Sequence, residues 1–116
     1  MTIAQMNERT ISVACSLAAI GPAELPRHRE VAAALFGSAI ETQEDAGGYS
    51  FRLPPDTATV LLAAEFVTRE RLCCPFYTFT IEVGPAGGSL WLRLTGPEGA
   101  KEVLRSGLDE LLADPR

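Results

Sequence analysis

Pro75 places the strongest constraint on this chain. The residues ahead of it, from about Thr57 to Cys73, carry apolar side chains at helical spacing, with Val60, Ala63, Ala64 and Val67 on one stripe. Asp56, following Pro54-Pro55, suits the N-cap of that helix, and Glu65 and Arg69 can pair across one turn of its outer surface. Proline disfavours helical backbone at the residue before it, so the helix must end at Cys74. Glu70-Arg71-Leu72-Cys73-Cys74-Pro75-Phe76 is therefore a corner, with two adjacent cysteines at its turn. Beyond it, Tyr77 to Val83 alternates, with Tyr77, Phe79, Ile81 and Val83 inward and Thr78, Thr80 and Glu82 outward, as a half-buried strand does.

The other segments fit around this corner. Thr10 to Leu17 alternates and reads as a first strand, with Ile11, Val13, Cys15 and Leu17 on its buried face. After Gly21-Pro22 a helix runs to about Ile40, with Val31, Ala32, Leu35, Phe36 and Ala39 on one stripe and His28 in phase with Leu35. The acidic stretch Glu41 to Gly48 reads as a loop, and Tyr49 to Leu53 as a second strand. Gly84 to Gly88 is a hairpin loop, and Ser89 to Leu94 returns with Leu90, Leu92 and Leu94 inward. Thr95-x-x-Glu98, with Pro97, reads as a capping box opening a last helix whose stripe includes Ala100, Val103, Leu104, Leu108, Leu111 and Leu112. The order β-α-β-α-β-β-α implies an α+β fold: a two-layer sandwich, with a four-stranded mixed sheet carrying three helices mainly on one face. The expected division is a loose leader over residues 1–9 and a single domain over 10–113.

Composition narrows the function. The chain has 116 residues, 47% of them apolar, and a formal charge of −5 with no basic stripe. That argues against nucleic acid and anionic membrane as partners. The apolar run Ile11 to Ile20 is too short to span a bilayer, and Glu8 beside Arg9 does not suit a signal peptide. Three cysteines are an odd number, which disfavours a closed disulfide framework, and their spacing fits no zinc ribbon. A reducing cytoplasm is the expected setting.

Cys73 and Cys74 carry the only concentrated chemistry. Neighbouring Cα atoms lie about 3.8 Å apart, below the usual disulfide range of about 4.4–6.8 Å, so the two are poorly placed to bond each other. On an intact helix their side chains diverge by about 100°, so joint ligation of one ion requires unwinding at Cys74 and a third ligand. Thiolates favour soft ions such as Hg(II), Cu(I), Zn(II) or As(III). A helix C-terminus disfavours a thiolate, and Arg69 and Arg71, close in sequence, offset that end, with Glu70 beside them in support. The bland alternative is that the cysteines are small core hydrophobes.

Glu70-Arg71-Leu72-Cys73-Cys74-Pro75-Phe76, Phe79 and Leu90-Trp91-Leu92-Arg93-Leu94-Thr95-Gly96-Pro97 together resemble a family of small bacterial proteins with an E-R-x-C-C-P-F core and a closing L-x-L-T-G-P segment. The likeness extends to Gly48-Tyr49 through Pro54 and to the Cys15 segment, and so covers most of the chain. It implies a loose association with heavy-metal handling and a functional role for Cys73, Cys74 and Cys15.

Topology decides whether Cys15 can join the pair. Right-handed β-α-β crossovers would make the first three strands parallel and put Cys15 at the opposite sheet edge, roughly 20 Å away. There it would neighbour His28, as a candidate thiol–histidine pair. A three-sulfur site needs the antiparallel arrangement. The sequence leaves both open. On the sheet's other face Trp91 and Arg93 stand among polar residues, and the indole there suggests a homodimer contact or, equally, a ring lying flat over Arg93. Three functions follow: a soft-metal or metalloid binder using Cys73, Cys74 and Cys15, with Glu70, Arg71 and His28 in support; a thiol redox protein with a low-pKa Cys73; or a structural module with buried cysteines. An enzyme is the less favoured class.

Overall fold

The structure, a computed structural model, describes residues 13–113, and for residues 110–113 it describes the backbone alone. The expected leader, the first residues of the expected first strand, and Leu111 and Leu112 of the last stripe thus lie outside the described side chains. Three helices, α1 (Leu25–Gly37), α2 (Thr57–Cys73) and α3 (Ala100–Ala113), accompany four strands. The strands are β1 (Glu41–Asp45), β2 (Gly48–Leu53), β3 (Thr78–Val83) and β4 (Leu90–Thr95). They form one sheet in the order β1-β2-β4-β3, antiparallel throughout. The α+β class holds, but the mixed sheet does not: no pair of strands is joined by a parallel crossover.

Two strand assignments change. Residues 13–16 are irregular and lead into a 3₁₀ turn, Leu17–Ala19, so this segment is no strand. Its backbone is engaged elsewhere, as the Ser16 N–H donates to the Cys73 carbonyl at 2.9 Å. Conversely, the acidic stretch read as a loop is β1, joined to β2 by the tight turn at Ala46-Gly47. Its charges are answered by cations from other elements, Glu41 by Arg52 and Glu44 by Lys101 and Arg105, and Asp45 accepts from Ser50 Oγ. An edge strand tolerates such charge because only one side of it is paired.

The last helix also starts differently. Thr95 is the final residue of β4, paired with both Gly48 and Thr78, and so cannot cap a helix. The chain instead turns through Pro97 to Gly99, whose φ of +94° suits glycine, and α3 begins at Ala100.

The core lies on one sheet face. Cross-strand rows Tyr49–Leu94–Phe79, Phe51–Leu92–Ile81 and Leu53–Leu90–Val83 share that face. Leu53, Leu90, Leu92 and Leu94 are fully buried. Phe36 of α1 meets Phe51 edge-on at 4.9 Å and Phe66 of α2 at 5.1 Å, and Phe66 reaches Phe79. Cover runs out at the β3 edge, where Ile81 and Val83, expected inward and buried, are exposed. Ala64, expected in the α2 core stripe, is exposed as well.

Polar contacts join the first two helices. Glu65 of α2 accepts from Arg27 of α1 at 2.7 and 2.8 Å and from Arg69 at 2.7 Å, the expected one-turn pair. These guanidinium hydrogen bonds pull the Glu65 carboxyl down from 4.5 to about 2. A lowered carboxylate pKa stabilises the fold above the unfolded value and loses that contribution as pH falls through the folded one. Acid titration should therefore weaken the α1–α2 contact between about pH 4.5 and 2, and Glu65→Gln should flatten thermal stability across that window. A second prediction concerns close approach: a Cβ on Gly48 would overlap the Leu94 carbonyl oxygen, whereas one on Gly37 meets nothing within 4 Å. Gly48→Ala should cost about 1–3 kcal/mol in chemical denaturation, and Gly37→Ala should cost nothing measurable.

Candidate thiol site

Helix α2 delivers two of the cysteines. Its start is fixed by Asp56, whose Oδ1 accepts from the Thr59 N–H at 2.7 Å. Its seventeenth and last residue is Cys73. Cys74 has left the helix, at φ −124° and ψ 76°, as the following proline requires, while its N–H still closes the last turn on the Glu70 carbonyl at 2.8 Å. The unwinding cancels the divergence expected of adjacent helical side chains, and the Cys73 and Cys74 sulfurs stand 3.7 Å apart.

Cys15 arrives from the irregular N-terminal segment. The Ser16-to-Cys73 backbone hydrogen bond docks that segment against the end of α2. Cys15 and Cys74 have Cα atoms 4.7 Å apart and are joined by a disulfide. The odd cysteine count thus closes one bridge and leaves Cys73 as a thiol. All three sulfurs lie within 4.8 Å of one another. The sheet-edge separation anticipated for parallel strands does not arise, since Cys15 is on no strand.

The three positions differ in exposure. Cys73 and Cys74 are each 2% exposed, while Cys15, expected on a buried face, is exposed. Burial, and after it the Glu70 charge, push the Cys73 thiol upward, with the Ser16 backbone N–H opposing. The lowered Cys73 pKa that a thiol nucleophile would need is therefore absent.

A cavity of about 200 Å³ adjoins the sulfurs, and Cys15, Cys74, His28, Phe66, Leu104 and Leu108 are among its walls. His28 Nε2 lies 2.7 Å from Glu70 Oε1, and the imidazole stacks on Phe66. Its Nδ1 is buried with no hydrogen-bond partner among the described residues. Glu70 and His28 thus sit together beside the sulfurs. Arg71 is exposed and, among the described residues, makes no ion pair. Trp91 and Arg93 stand on the other sheet face, where the guanidinium lies 5.2 Å over the indole and also bonds Glu82 and Ser50. The α3 wall of the cavity left no mark in the sequence, because leucines on a helix stripe look the same whether they fill a core or line a hollow.

No family model, no curated protein and no solved structure matches this chain. Among the described residues, no helix is long and apolar enough to cross a membrane. Fold and site together define an α+β protein with a clustered cysteine site.

The disulfide ties residues 59 positions apart. Loop-closure entropy alone assigns such a bridge about 4 kcal/mol. Reduction by a dithiol should therefore lower the unfolding free energy by up to about that amount, measured by urea denaturation with and without reductant. In the reduced protein Cys15 should be alkylated first and Cys73 only on unfolding, as followed by peptide mass spectrometry.

Proposed function

We propose that the reduced protein binds one soft, thiophilic ion through Cys73, Cys74 and Cys15, and that the Cys15–Cys74 disulfide is its closed, ion-free form. The observation that carries this reading is the convergence of three sulfurs within 4.8 Å. Two thiolates about 2.3 Å from one ion at a tetrahedral angle stand about 3.8 Å apart. The Cys73–Cys74 separation of 3.7 Å suits that spacing. An all-sulfur donor set favours Hg(II), Cu(I), As(III) or Zn(II) over hard ions. A dithiol reductant would supply two electrons and two protons to open the bridge, releasing both thiols and becoming a disulfide itself. A reducing compartment such as the cytoplasm would keep the thiols free. The resemblance of the E-R-x-C-C-P-F segment to the bacterial heavy-metal-associated proteins points the same way.

The disulfide also favours a second reading, a thiol redox protein. In that case the reacting bond is Cys15–Cys74, approached from exposed Cys15, and not a Cys73 thiolate.

The two separate in one experiment. Anaerobically reduced protein, freed of reductant, should take up about one Hg(II) or As(III) in equilibrium dialysis with metal analysis. Cys73→Ser and Cys74→Ser should each weaken uptake at least tenfold, and oxidised protein should take up none at this site. Unchanged affinity in both single variants would overturn the ion-binding reading.

A further inference from the structure

The cavity beside the sulfurs is a poor match for a bare ion. Ala32, Phe36, Phe66, Leu104 and Leu108 supply aliphatic and aromatic wall, and two of the three cysteines, Cys15 and Cys74, open onto it. An apolar cavity of about 150 Å³ holds a benzene molecule. This one is about 200 Å³. We propose that the site takes a thiophile carrying an organic group, an aryl arsenic(III) compound being the best fit, with arsenic bridging Cys15 and Cys74 and the ring seated in the cavity. This deepens the soft-ion reading and rests on it, with one difference: the organic group takes the third position on arsenic, so Cys73, a ligand for a bare ion, stays a thiol.

The geometry suits the chemistry. Cys15 and Cys74 have Cα atoms 4.7 Å apart, so once reduced they remain close enough to chelate one atom. A monosubstituted arsenic(III) dihydroxide reacts with two thiols: two As–O bonds break and two As–S bonds form. Each thiol proton leaves with a hydroxide as water, and arsenic stays trivalent. The organic substituent is untouched and must go somewhere. Cys73 is buried at 2% exposure and absent from the cavity wall, whereas Cys15 and Cys74 line it, so the open direction beside that pair is the cavity. The wall is not wholly apolar, since His28, Arg29, Glu70 and Tyr77 also line it. Glu70 accepts from His28 Nε2–H, and His28 Nδ1 is buried with no hydrogen-bond partner among the described residues.

The test compares phenyl and methyl arsenic(III) dihydroxides, which use the same two thiols and differ only in the group to be housed. Reduced wild-type protein, titrated anaerobically and followed by loss of free thiol, should prefer phenyl over methyl at least tenfold. Gly107 also lines the cavity, and a Cβ there meets nothing within 4 Å. Gly107→Phe should therefore block the cavity without disturbing the fold, and abolish the preference while leaving methyl binding unchanged. Arg29→Trp, at an exposed position on the same cavity, provides a second block should the first variant fold poorly. Equal affinity for the two compounds, or a preference that survives both blocks, overturns the organic-group proposal and leaves inorganic-ion binding standing. Failure of reduced protein to bind phenyl, methyl and inorganic arsenic(III) and Hg(II) alike overturns the soft-ion reading itself.

Discussion

The candidate site depends on one docking contact. The Ser16 N–H donates to the carbonyl of Cys73 at the free end of α2, and beside it Cys15 bonds Cys74. A helix C-terminus leaves carbonyls without intrahelical partners, and here one of them receives a donor from outside the helix. That contact lays the N-terminal segment along the helix end and joins Cys15 to the distant Cys73–Cys74 pair in one cluster. Without it, Cys73 and Cys74 would be adjacent side chains at a corner, with no third sulfur near.

Much of the corner was legible because its signals are local and steric. Asp56 caps, Pro75 terminates, and between them α2 occupies Thr57–Cys73, as the pattern predicts. The Glu65–Arg69 pair follows from helical spacing alone. β1 was not legible in the same way. Its acidic composition imitates a loop, but the antiparallel ladder with β2 makes it a strand, and Arg52, Lys101 and Arg105 answer its charge. The segment around Cys15 misled in the opposite direction. Alternation of Val13, Cys15 and Leu17 is what a strand would show, but alternation supplies no ladder partner, and the Ser16 N–H is held by α2. The capping box failed for a related reason: Thr95 is claimed on both sides by β2 and β3.

The site itself was half legible. The residue types and the need for Cys74 to unwind follow from adjacent cysteines before a proline. Whether Cys15 would reach them is a question of chain topology, and a wrong strand assignment made it look undecidable. His28 and Glu70 were visible as candidates, yet their pairing spans 42 positions and joins α1 to α2. Only the packing of those helices, with Phe36 and Phe66 edge to face, brings them together.

Burial of the cysteines is compatible with both inert packing and ion binding, and the raised Cys73 thiol fits either while arguing against a nucleophilic Cys73. A dry environment next to Glu70 raises the Cys73 thiol, so the site without an ion favours a neutral sulfhydryl. The same low dielectric strengthens attraction between thiolates and a cation once the protons have been displaced. A carboxylate beside the cluster, unfavourable for a free thiolate, then contributes favourably to holding the positive centre. A nucleophilic cysteine needs the reverse arrangement, an electropositive and accessible sulfur. Only Cys15 is accessible, and it is bonded. Packing alone gives no reason for Cys15 and Cys74 to meet on the wall of one largely apolar hollow with the Cys73 sulfur 3.7 Å from that of Cys74, whereas a thiophile entering from that hollow would reach exposed Cys15 first.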